Sequence, residues 1–224
     1  MPVRSDYLLR IIQQLAKVFA RVMGLRRAGK HEEALALLDE SALSAFGLTI
    51  RVALALGTSD LVALLKDKYG STLRTSTMLA ELLMHEGDTR AEQGSADRAR
   101  LAHRRALSLV AAAAASSTDA TPDDLLPASE ILDALRHRLG DTTLSSEDLA
   151  SAARLHERAG AFAAAENAHF VRVSRGDAAQ AGHDARAFYE RLRERSDAEL
   201  ERGGLPRDEV EEGLRVLAAS LEGR

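Results

Sequence analysis

The sequence predicts an all-α protein of stacked helix hairpins, and three observations carry that prediction. The 224 residues hold no tryptophan, only 4% aromatics and four prolines. They are built from Ala, Leu, Arg and Glu, which favour helices, rather than from the β-branched and aromatic residues of strands. Apolar residues recur at intervals of three and four over long stretches, the period of an amphipathic helix. Finally, Gly29, Gly94 and Gly160 stand 65 and 66 residues apart, each followed five positions later by an alanine, Ala34, Ala99 and Ala165. One helix-turn-helix unit used three times accounts for that spacing.

Along the chain, Ser5 or Asp6 is expected to cap a first helix ending near Leu25. Its stripe of Leu8, Ile11, Ile12, Leu15, Val18, Phe19, Val22 and Met23 is wide. A turn at Gly29 leads to a second helix over 31–46, with Ala34, Leu35, Leu38 and Leu43 facing inward. Short helices over 48–56 and 58–67 follow, divided by Gly57. The second hairpin covers 72–93 and 95–115 around Gly94. Residues 116–127 hold two of the four prolines and are expected to be linker. A short helix over 128–139 ends at Gly140, and Ser145 or Ser146 caps the third hairpin, 146–159 and 161–175 around Gly160. Helices over 177–201 and 206–221 close the chain. The expected organisation is hairpins one and two in 1–115, linker in 116–127, and the third hairpin with the C-terminal helices in 128–224, all as one continuous domain.

Glycine at each turn permits a positive φ. The alanine lets two helices cross closely, where a larger side chain would cost about 1–3 kcal/mol. All three alanines are therefore expected in the core. Three further Gly-x4-Ala pairs, starting at Gly176, Gly182 and Gly213, lack a long periodic helix on each side.

Composition excludes several functions. A net charge of −4 gives no electrostatic case for nucleic acid over the whole chain. The excess of arginine over lysine fits codon usage in a GC-rich genome. Without cysteine there is no disulfide, thiolate zinc site or cysteine nucleophile, and a cytoplasmic location is expected. Arg10, Lys17 and Arg21 interrupt any signal-peptide core, and no apolar run approaches the roughly 20 residues of a membrane span. The expectation is a soluble protein without integral membrane association.

Motifs of catalysis are also missing. No two of the seven histidines share a helix at ligand spacing, so no metal or cofactor is expected. His103 and His169 occupy equivalent places in the second helices of units two and three. His183-Asp184 lacks the other histidines of a metal phosphohydrolase site. Neither a phosphate-binding loop nor a Gly-x-Ser-x-Gly elbow occurs, so no catalytic residue is assigned and a non-enzyme is expected. Residues 1–30 carry seven cations against Asp6 alone. Such a helix either lies on an anionic surface or pairs its arginines with acidic neighbours, and the second is the favoured expectation. Its stripe is also wide enough to form a homodimer seam.

The stretch Gly29-Lys30-His31-Glu32-Glu33-Ala34-Leu35 resembles the inter-helix turn of the tetratricopeptide (TPR) family. Gly87 and Ala106 in the second unit, and Ala153 in the third, match further small-residue positions of that motif. The tryptophan-like and tyrosine-like positions hold Val18 and Leu25, Leu83 and Arg90, then Leu149 and His156. A period near 65 instead of 34 requires extra short helices in each unit. The block from Asp6-Tyr7 through Gly24-Leu25-Arg26 also resembles a bacterial TPR-like family of unknown function.

The TPR resemblance implies a binding face made by the first helices of the hairpins. It would present Phe19, Met23, Arg26 and Arg27, then Glu81, Met84, Asp88 and Glu92, then Glu147, Arg154, Glu157 and Arg158. The expected function is a non-enzymatic scaffold or adaptor that binds a protein or peptide through Phe19, Met23, Arg26, Arg27, Met84, Arg154 and Arg158. Its arginines would clamp a carboxylate. A self-assembling homo-oligomer and a small-ligand-binding helical protein are the alternatives.

Overall fold

A computed structural model describes residues 2–70, 72–118, 120–140, 143–175 and 178–222, and contains helices but no strand among them. The chain divides into two compact units, Met1–Gly140 and Asp141–Arg224. The first holds α1 (Pro2–Arg27), α2 (His31–Phe46), α3 (Ile50–Ala55), α4 (Thr58–Tyr69), α5 (Thr72–Glu92), α6 (Ala96–Ser116) and α7 (Pro122–Leu139). The second holds α8 (Ser146–Ala159), α9 (Phe162–Ser174), α10 (Ala178–Arg193), α11 (Asp197–Arg202) and α12 (Arg207–Glu222).

The three glycine turns share one hydrogen-bond pattern. The amide of Gly29 donates to the Arg26 carbonyl at 2.9 Å and that of Lys30 to Leu25 at 2.9 Å. Gly94 and Ser95 bond to Ala91 and Arg90 in the same way, and Gly160 and Ala161 to Glu157 and His156. This is the Schellman cap, which needs a left-handed residue at its centre. The three glycines have φ of +70°, +78° and +76°. Ala34, Ala99 and Ala165 are all buried, as close helix crossing requires. A fourth turn of this kind lies between α11 and α12, where Gly204 (φ +73°) bonds to Glu201 and Leu205 to Leu200. Glu209 stands where the alanine would be, so the glycine-alanine pattern passes over it.

Within the first unit, α5 is central and packs against α1, α2, α4, α6 and α7. Phe19 meets His85, and Arg26 meets Glu92, both pairs 66 residues apart, so α1 and α5 run parallel. Arg74 with Asp124 and Asp88 with Arg138, both 50 apart, align α7 parallel to α5. The extra residues of the long period form α3 and α4. Tyr69 and Lys68, at the end of α4, donate to the carbonyls of Ala45 (2.7 Å) and Phe46 (3.0 Å) at the end of α2. From α6, Arg105 donates to Thr58 Oγ1 at 2.9 Å and the Leu54 carbonyl at 3.0 Å.

The structure corrects several expectations. The first helix begins at Pro2, ahead of Ser5 and Asp6, because proline suits the first helical position. Leu43 faces solvent, being 53% exposed. Residues 122–127, expected in the linker, are the opening turns of α7. There Thr121 donates its amide and hydroxyl to the Asp124 carboxylate at 3.2 and 2.8 Å, closing a capping box behind Pro122. The helix expected over 177–201 is two helices, since Ser196 and Glu199 form another capping box and restart the chain at α11. Asp177 lies outside the described residues.

In the second unit, α8 and α9 form the hairpin, α10 packs on α9, and α12 packs on α10. Phe162, Ala165, Ala185, Phe188, Leu192 and Leu205 belong to its apolar core. Arg191 on α10 holds Glu157 on α8 through two bonds of 2.6 and 2.7 Å.

Candidate functional site

The expected face in the first unit is engaged internally. Asp88 on α5 is its hub. Arg138 on α7 donates both forks to it, Nε to Oδ1 at 2.6 Å and Nη2 to Oδ2 at 2.9 Å. His103 on α6 places Nε2 3.0 Å from Oδ1, and Arg26 on α1 places Nη1 3.5 Å from Oδ2. Burial pushes the Asp88 carboxyl up, but the hydrogen bonds and charges of His103 and Arg138 outweigh it and hold it well below the usual range. Arg26 also grips Glu92 at 2.6 and 3.1 Å. That hydrogen bond is the main reason Arg26 is raised and Glu92 lowered.

The expected contact residues therefore separate. Phe19 is half-buried with its ring 4.8 Å from that of His85. Met84 is buried at 6% exposure and presents nothing to a partner, which corrects its place on this face. The reason is crowding around α5, packed by five neighbours. Met23 and Arg27 remain at the surface. In the second unit Arg154 is exposed and donates to Ser151 Oγ at 3.1 Å, and Arg158 is exposed. Glu157, expected beside them, belongs to Arg191.

Of the buried histidines, two are held neutral by their surroundings. Burial, opposed by Asp88, pulls His85 down to about 4. Burial, aided by the Arg172 charge, does the same to His169, also about 4. Glu81 is the converse: burial alone raises its carboxyl to about 7. Asp184 pairs with Arg172 at 2.8 Å, so the His183-Asp184 dipeptide has its carboxylate engaged. Among the described residues no group of three or more His, Asp or Glu is placed to hold a metal ion. Nor is any described helix long and apolar enough to cross a membrane.

A more open arrangement lies in the second unit, where α9, α10 and α12 border a groove of about 330 Å³. His169 lines it, 6% exposed, with Nδ1 buried and unpartnered. Tyr189 forms a wall and donates its hydroxyl to Glu166 Oε1 at 2.6 Å. Burial first, then this bond, raises the phenol. Gly213 on α12 lets the ring approach, since a Cβ there would lie 2.6 Å from Cε1 of Tyr189. Phe170 and Val216 stand at the edge, 71% and 54% exposed. Glu209 and Glu212 bring carboxylates to the same lining.

Neither groove nor hub was assigned from sequence. Asp88 was placed on the face but not its partners His103 and Arg138. The groove had one signal: Phe170 and Val216 fall off the buried stripes of their helices. A single apolar residue outside a stripe is ordinary, so this signal becomes specific only once the fold brings the two residues to one cleft.

A family model described as "Family of unknown function (DUF6483)" matches residues 3–222. The chain belongs to that family. No curated protein and no solved structure matches it. The matched range runs through both units, so hub and groove both lie inside the family's region.

Proposed function

We propose that the chain is a non-enzymatic, TPR-like helical scaffold that captures a protein segment, and that α9, α10 and α12 supply the docking groove. The carrying observation is Phe170, an aromatic ring 71% exposed at the edge of an apolar cleft. Aromatic anchors beside desolvated pockets dominate protein recognition, and large exposed apolar patches are otherwise rare. About 330 Å³ is at the small end for enclosing a whole ligand, and suits a few side chains of a docked helix. Glu209, with no cation partner among the described residues, favours a cationic segment, while Glu212 already pairs with Arg215 and Glu166 accepts the Tyr189 hydroxyl.

The repeated turns and the parallel α1, α5 and α7 support the TPR-like reading of the first unit. Its arginine face is the weaker docking candidate, because Arg26 already holds Asp88 and Glu92.

The test is a fluorescently labelled, synthetic leucine-lysine amphipathic helix titrated with the full chain. Saturable micromolar binding, lost in Phe170→Asp and unchanged in Arg27→Glu, is the expected result. Equal binding by Phe170→Asp, or none by wild type, removes the groove from consideration.

A further inference from the structure

The first unit holds a cleft of about 780 Å³, bordered by α2, α3, α5 and α6, that shares no residue with the Asp88 hub. Leu35 and Ile50 are buried in its lining, Leu54 is half-buried, and Leu101 is 53% exposed. Apolar walls with a few convergent polar groups, enclosing about 300–1,000 Å³, are the usual form of a small-ligand site. The walls are held by the fold itself. Asp39 on α2 accepts the Ile50 amide at 2.8 Å, and Thr49 Oγ1 accepts that of Val52 at 3.3 Å, which pins the start of α3. Arg105 on α6 donates to the Leu54 carbonyl at 3.0 Å and ties the two helices together.

The polar groups decide what fits. Arg51, Arg90 and Arg98 line the cleft against only two carboxylates, Asp39 and Glu86. Glu86 is buried and accepts from Arg90 Nε at 2.9 Å, so that pair is neutral. Gln93 Oε1 accepts from Arg90 Nη1 at 3.3 Å and fixes the guanidinium further. Asp39 is engaged by the Ile50 amide. Arg51 and Arg98 are exposed and make no ion pair among the described residues. An arginine is followed three residues later by a leucine on both α3 (Arg51, Leu54) and α6 (Arg98, Leu101). Residues at that spacing share a helix face, so each wall sets a guanidinium beside an apolar side chain.

We propose that this cleft binds a small amphipathic organic acid, its carboxylate held by Arg51 and Arg98 and its apolar body lying on Leu35, Leu54 and Leu101. A planar guanidinium receives both oxygens of a carboxylate, and an arginine already oriented by Glu86 adds to the field at low entropic cost. An alcohol or amine on the same apolar body leaves the two unpaired arginines unmatched. The site is independent of the α9–α10–α12 groove.

Isothermal titration calorimetry of the full chain with sodium decanoate, below its micelle concentration, tests it. Wild type binds decanoate saturably at one site, and neither decan-1-ol, decylammonium nor inorganic phosphate competes. Arg51→Gln/Arg98→Gln and Leu101→Asp, all at exposed positions, each weaken binding roughly tenfold or more while the melting temperature without ligand stays unchanged. Arg10→Gln/Arg21→Gln removes the same charge from α1 and binds as wild type does, which separates a local site from net charge. Phe170→Asp also binds normally, so this outcome and that of the groove are read apart. No saturable binding by wild type, equal binding of decylammonium, equal weakening by the α1 pair, or loss in Phe170→Asp overturns the proposal.

Discussion

A Cβ on Gly87 would stand 3.0 Å from Cγ of His103 and closer still to Nε2, so only bare backbone admits this imidazole to Asp88. The small residue on α5 and the buried histidine on α6 are thus one device. It seats the carboxylate hub that joins α1, α5, α6 and α7.

Gly87→Ala tests this directly. Helix propensity alone favours alanine by about 1 kcal/mol. The clash with the ring reverses the sign, for a net loss of about 1–3 kcal/mol in urea denaturation. In a His103→Ala background the same change becomes stabilising. A gain in the wild-type background would show that the ring yields freely.

Adjacent arginines on α1 should differ sharply. Arg26→Ala removes the bonds to Asp88 and Glu92 and lowers stability by about 1–2 kcal/mol. Arg27→Ala, at an exposed site, stays within about 0.5 kcal/mol. Equal losses in chemical denaturation would mean that the Asp88 cluster adds nothing.

Glu81 gives a pH signature. Its folded carboxyl titrates near 7, above the ordinary 4.5, so its stabilising effect is full below 4.5 and is lost as pH climbs through 7. Glu81→Gln should therefore raise stability by roughly 1–2 kcal/mol at pH 8, allowing for partial solvation, and leave it unchanged at pH 4. Thermal melts at the two pH values decide, and parallel shifts at both would refute the assignment.

His85 and His169 act on the acid side. Both are pulled from 6.5 to about 4, so the stability they confer is present above 6.5 and lost as pH falls through 4. His85→Leu should flatten the loss of stability between pH 6.5 and 4. An acid limb identical to wild type would place the titration elsewhere.

Much of the fold was legible because its signals are local. Gly29, Gly94 and Gly160 mark turns whose backbone requirement is carried by the residue itself, and Ala34, Ala99 and Ala165 report the crossing that follows. Residues 122–127 and 194–196 misled for a related reason. Pro122 reads as a breaker until Thr121 and Asp124 are seen to close a box around it. Ser196 and Glu199 do the same inside a stretch whose apolar period never lapses. The site was less legible because its pairings are tertiary. Nothing near Asp88 in sequence announces Arg138, and Met84 has the spacing of a face residue but is covered by its neighbours.

The equal separations on α1 and α5 carry an evolutionary corollary. Phe19–His85 and Arg26–Glu92 are rungs of one ladder, and a single residue inserted between His85 and Glu92 would swing the upper rung by about 100°. Length is thereby frozen inside α1 and α5. The stretch carrying α3 and α4 crosses no rung, so insertions and deletions that survive in relatives should gather there.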